Sequence, residues 1–117
     1  AQTGIKSLDV TIDCDNLDAR ELGTMGIPAR FDLCNIEGFE ETNGTMHPAE
    51  DVREAISALG FPIEDAVKDK PSIRLKIDKM FTGLLTGFPG NNNFILTVTE
   101  NNGLSTTKTL KYYVPAN

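Results

Sequence analysis

The sequence predicts a mainly β chain, a β-sandwich with one inserted crossover helix near residues 48–59. Three observations predict it. After a polar, turn-prone start at Asn91, Asn92 and Asn93, residues 94–114 alternate between two faces on both sides of Asn101-Asn102-Gly103. Residues 5–12 alternate in the same way, and one segment alone carries a helical stripe with start and stop signals.

The terminal hairpin is the clearest element. Phe94, Leu96 and Val98 alternate with Ile95, Thr97 and Thr99, the period of two that a strand with distinct faces requires. Asn-Gly tolerates the left-handed dihedrals of a tight reversal. In the return strand Leu110, Tyr112 and Val114 share one parity, so Tyr112 is expected in the core and Tyr113 outward. A hairpin alone is marginal in water, so the rest of the chain must cover its apolar side.

Upstream, Leu8, Val10 and Ile12 alternate with Asp9 and Thr11 in a first strand over 5–12. A short helical turn follows at 17–22, then a second strand at 29–36, with Phe31 and Leu33 on one parity. Residues 38–46 read as a polar loop. In "HPAEDVREAISALGF", Pro48 suits the first helical turn, Glu50 and Asp51 suit its positive end, and Val52, Ile56 and Leu59 form one stripe. Gly60 suits the left-handed C-terminal position. Residues 72–78 read as a further strand with Ile73, Leu75 and Ile77 inward, and 79–86 as a short helical turn burying Met80, Phe81, Leu84 and Leu85. One-sided strands favour antiparallel pairing. The competing arrangement is an α+β sheet with the helix on its face.

The 117 residues suffice for one domain with its own core. "YYVPAN" reads as a strand leaving toward a linker, which suggests one module of a longer chain. The net charge of −6, with no uninterrupted basic cluster, disfavours nucleic acid as a partner. No stretch approaches the apolar length of a membrane span.

The catalytic inventory is sparse. His47 is the single histidine, and no nucleophile-elbow pattern surrounds any serine. Carboxylates such as Glu40, Glu41, Glu64 and Asp65 are plentiful, but sequence alone sets no cross-cleft spacing between them. Asp13, Asp15, Asp18 and Glu21 form the densest acidic cluster and are the candidate calcium ligands, although they lack the EF-hand order. Cys14 and Cys34 are either a disulfide closing a loop of about 20 residues, worth roughly 3 kcal/mol, or two separate buried thiols. Tyr113, with Asn91, Asn92 and Asn93, is the best candidate contact for a ligand or partner, because tyrosine joins apolar area to a hydroxyl.

"FPGNNNFILTVTENNGLSTTKTLKYYV", residues 88–114, resembles the closing hairpin of immunoglobulin-like domains in surface lipoproteins of Bacteroides-type bacteria. "IPARFDLCNI" at 27–36 resembles their early strand, and "MFTGLLTGFPG" at 80–90 the short turn before the hairpin. The resemblance implies an immunoglobulin-like sandwich in an exported or cell-surface protein, lipid-anchored through an upstream segment. The expected function is then a non-catalytic module that spaces neighbouring domains or contacts a protein outside the cell. A glycan-binding module of a polysaccharide-handling system is one alternative. A pilus-like subunit with an open edge strand is another.

Overall fold

A computed structural model describes residues 3–73, 75 and 87–116. Its elements in chain order are strand β1 (Ile5–Cys14), helix α1 (Ala19–Thr24), strands β2 (Arg30–Asp32), β3 (Phe39–Glu40) and β4 (Met46–His47), helix α2 (Ala49–Ala58), a single 3-10 turn at Glu64–Ala66, and strands β5 (Gly90–Glu100) and β6 (Ser105–Val114). The strand and helical turn expected within residues 72–86 lie mostly outside the described residues. Ile73 and Leu75 are described, and both pack against the core.

Four strands form one antiparallel sheet in the order β2-β1-β5-β6. Alternation decides which way each strand faces. Leu8, Val10 and Ile12 pair across to Val98, Leu96 and Phe94, and Phe94 pairs onward to Leu110. These residues and Phe31 make the apolar inner face. Ser7, Asp9, Thr11 and Asp13 take the opposite face, with Asn93, Ile95, Thr97, Thr107, Thr109, Lys111 and Tyr113.

Among the described residues the inner face is covered by helix and loop, not by a second sheet. Val52 and Ile56 of α2 are fully buried in the same core as Leu17, Leu22, Ile27, Leu33, Ile36, Phe61 and Val67. Phe61 links the layers, its ring 5.7 Å from those of Phe31 and Phe94 in edge-on contacts. The expected immunoglobulin-like β-sandwich is therefore wrong. The fold is mixed α/β, with a four-stranded sheet and a separate two-stranded ribbon, β3-β4, that do not close on each other. The reason is local. Between residues 38 and 70 the apolar side chains come at helical spacing or singly in loops, so this stretch has no long alternating run with which to build a facing sheet. The second expected strand is also shorter than 29–36, because Asp32 turns the chain: its Oδ1 accepts from the amides of Leu8 at 3.0 Å and Cys34 at 2.9 Å.

The ribbon β3-β4 replaces the expected polar loop. Asn43-Gly44 reverses it, with Gly44 at φ 91° and the Asn43 side chain accepting from Thr45 N at 2.9 Å. At its base the chain passes so close to itself that a Cβ on Gly38 would lie 2.6 Å from the His47 carbonyl oxygen and 3.1 Å from Ala49 N. Both atoms are backbone and cannot swing aside. Gly38→Ala is expected to cost about 1–3 kcal/mol, read as a lowered midpoint in thermal unfolding.

The β5-β6 turn fixes the hydrogen-bonding phase of the sheet edge. Glu100 N donates to Leu104 O at 2.8 Å, and Gly103 closes the loop at φ 91°. The β5-β6 register then runs unbroken from Thr99↔Ser105 to Gly90↔Val114. Hydrogen-bonded and non-bonded pairs alternate along an antiparallel ladder. Thr106, Lys108, Leu110 and Tyr112 therefore bond to β5, while the amides of Thr107, Thr109, Lys111 and Tyr113 point away from β5.

Candidate functional site: the outer sheet face at β6

Tyr113 lies on the outer face, 65% exposed, and pairs with Asn91. One step along, Lys111 pairs with Asn93, and Asn93 with Asp13. Three of the four expected contact residues, Tyr113, Asn91 and Asn93, thus share one patch. Asn92 does not. It has the parity of Phe94 and Leu96 and is fully buried, its Nδ2 donating to Phe88 O at 3.1 Å and Gly90 O at 3.3 Å. Tyr112 has the inner parity, as expected, but it lies on the edge strand and is 37% exposed, so it is not a core residue.

The patch is braced from the β1 end. Asp15 accepts from Asn91 N at 2.8 Å and from its side-chain nitrogen at 3.3 Å, and Asp15 N donates back to Asn91 O at 2.9 Å. Asn16 donates to Pro89 O. Further along the face, hydroxyl pairs Thr97–Thr107 at 3.1 Å and Thr99–Ser105 at 3.0 Å tie β5 to β6. The result is a largely polar, hydrogen-bonded surface with the Tyr113 ring at its end.

The acidic cluster has structural duties. Asp15 holds Asn91, and Asp18 caps α1 by accepting from Glu21 N at 2.9 Å. Among the described residues no three His, Cys, Asp or Glu side chains gather closely enough to hold a metal ion, so Asp13, Asp15, Asp18 and Glu21 are not assembled as a ligand set.

Cys14 and Cys34 are free, half-buried thiols, so of the two readings the disulfide is set aside and the separate thiols stand. Leu33 N bonds to Leu8 O, which sets Cys34 beside Leu8. Cys14 lies six residue steps along β1 from Leu8, roughly 20 Å, far beyond bridging reach. Burial raises the Cys14 thiol pKa above its ordinary value; the Asn93 backbone opposes this, and the charges of Asp13 and Asp15 reinforce it. Burial also raises that of Cys34, with Asp32 and Asp69 adding to it and the Leu8 backbone and Lys68 opposing it. Neither environment favours a thiolate nucleophile.

One pairing escaped the sequence reading. His47 Nε2 lies 2.9 Å from Glu41 Oε2, and its ring stacks on Phe39 with centroids 4.8 Å apart. A Cβ on Gly26 would sit 3.7 Å from the other ring nitrogen, Nδ1, which places that nitrogen against the chain after α1. The pair anchors the ribbon.

A cleft of about 350 Å³ opens on the inner side of β6, lined by Ile5, Leu8, Leu96, Thr106, Lys108 and Leu110 among others. It is mostly apolar. Comparison with protein-family models, with curated proteins and with solved structures finds no match. Without the sandwich, the lipoprotein, outer-membrane and carbohydrate-binding expectations lose the basis the resemblance gave them. Among the described residues no helix is long and apolar enough to cross a membrane.

Proposed function

We propose that the chain is a non-catalytic interaction module that binds a protein partner through the uncovered side of its sheet at β6. The observation that carries this reading is the exposure of Thr107, Thr109, Lys111 and Tyr113, all on one face, over a sheet whose opposite face holds the core. Such a rigid platform presents backbone and side chains without the ordering cost of a loop. Tyr113 is the natural anchor, since tyrosine is enriched where interfaces are strongest.

A displayed library of protein segments, screened against the chain, tests it. Enriched binders should lose at least ten-fold in affinity on Tyr113→Ala and be unaffected by Asp65→Ala, which alters an exposed residue of the 3-10 turn. Binders that ignore Tyr113 and respond to Asp65, or a screen that enriches none, would overturn the reading.

A further inference from the structure

We infer that β6 accepts an extended, acidic segment of another protein as a fifth strand of the sheet; this rests on the interaction reading above and names its partner chemistry. The geometry comes first. β6 is ten residues long and stands at the end of the sheet order, paired with β5 alone among the described residues. Its pairing has no register shift and no proline between Ser105 and Val114. An edge of this kind offers a row of amide and carbonyl groups to an incoming strand. The groups it offers are those of Thr107, Thr109, Lys111 and Tyr113, by the ladder phase fixed at Glu100 and Leu104.

Side-chain selectivity comes from the two faces. Alternate residues of an added strand would point inward, beside the apolar cleft of about 350 Å³ that Thr106, Lys108 and Leu110 line along β6. The intervening residues would lie on the outer face, beside Lys111 and Tyr113. A segment with apolar residues at every second position therefore fits.

Charge decides between occupants. Within a chain of net charge −6, β6 carries Lys108 and Lys111 and no carboxylate. A second copy of β6 would bring two more lysines against these two, which disfavours self-pairing. An acidic segment meets them with opposite charge and is drawn in more strongly at low salt.

The test uses a ten-residue peptide with valine at alternate positions and glutamate between, and its lysine-for-glutamate counterpart, each titrated into the isotope-labelled chain. The acidic peptide should slow amide exchange at Thr107, Thr109, Lys111 and Tyr113 at least ten-fold, and the lysine peptide should not. Thr109→Pro removes one outward amide and spares the β5 ladder, so it should abolish this protection while Thr106, Lys108 and Leu110 keep theirs. The double variant Lys108→Glu, Lys111→Glu is a second test; it should exchange the preference between the two peptides. Protection of the edge by a dimer of the chain itself, or peptide binding indifferent to both variants, would overturn strand addition. Library binders that depend on Tyr113 and not on Thr109→Pro would overturn it as well, yet leave the interaction reading standing.

Discussion

Phe94→Ala should remove about 3–5 kcal/mol of stability, the range for emptying a well-packed aromatic site. Phe94 is fully buried on β5, between Ile12 of β1 and Leu110 of β6. Its ring also meets Phe61, which in turn meets Phe31, with both centroid separations 5.7 Å. Three aromatic rings thus join the sheet to the covering layer, and Phe94 is the sheet's side of that joint. Truncation loses the transfer energy of the ring and leaves a void that two flanking strands and a loop aromatic can fill only in part. Against a total of roughly 5–15 kcal/mol for a domain, the loss is large. The chain has no tryptophan, so urea unfolding is best followed by circular dichroism. The midpoint should fall steeply with an unchanged slope. Tyr113→Ala is the matched control: its ring is exposed, and it should stay within about 0.5 kcal/mol of the parent. A shift for Phe94→Ala below about 1 kcal/mol would mean that the aromatic joint does not hold the layers together.

The elements that were legible in the sequence were those whose signal is local. The β5-β6 hairpin follows from alternation on both sides of Asn102-Gly103, and β1 from Leu8, Val10 and Ile12. Helix α2 follows from Pro48, the Val52-Ile56 stripe and Gly60, which adopts φ 101°. What covers the apolar face was not legible. Alternation shows that one side of a strand is oily; it does not say whether a sheet or a helix will lie on it. Here the helix and loops do, which is the competing arrangement rather than the sandwich. The ribbon β3-β4 had an Asn43-Gly44 turn signal, but each strand has two residues and no period to read. Sequence left the cysteines open between a disulfide and separate thiols, because twenty residues of separation do not fix a distance in space; the strand register sets them apart. At the candidate site, Tyr113 was legible by parity. The edge position of β6 was not, since strand order is a property of the assembled sheet.

Asn92 is the instructive miss, and it yields the second large effect. Three consecutive asparagines read as a polar, turn-prone start, yet extending the inward parity of Leu96 and Phe94 back two residues puts Asn92 inside. Its Nδ2 donates to the Phe88 and Gly90 carbonyls, an arrangement that needs a nitrogen at that position. Asn92→Asp places an acceptor there instead. At neutral pH the buried carboxylate would face two carbonyl oxygens with no donor, and the expected cost is about 3–5 kcal/mol, that of an unpaired buried charge. The sign with pH follows from linkage. Burial raises the folded-state pKa of the new carboxyl above its unfolded value of about 3.9. The neutral acid keeps one O–H donor, so below that unfolded value the penalty is smallest. It grows by about 1.4 kcal/mol per pH unit as pH rises toward the folded-state pKa, then levels off. Asn92→Leu is the comparison: it leaves the same two carbonyls without a donor but cannot ionise, so its penalty should not depend on pH. Urea unfolding of both variants and the parent at acidic and neutral pH separates the two. An Asn92→Asp penalty that does not widen with pH would place water, rather than packed core, around this side chain.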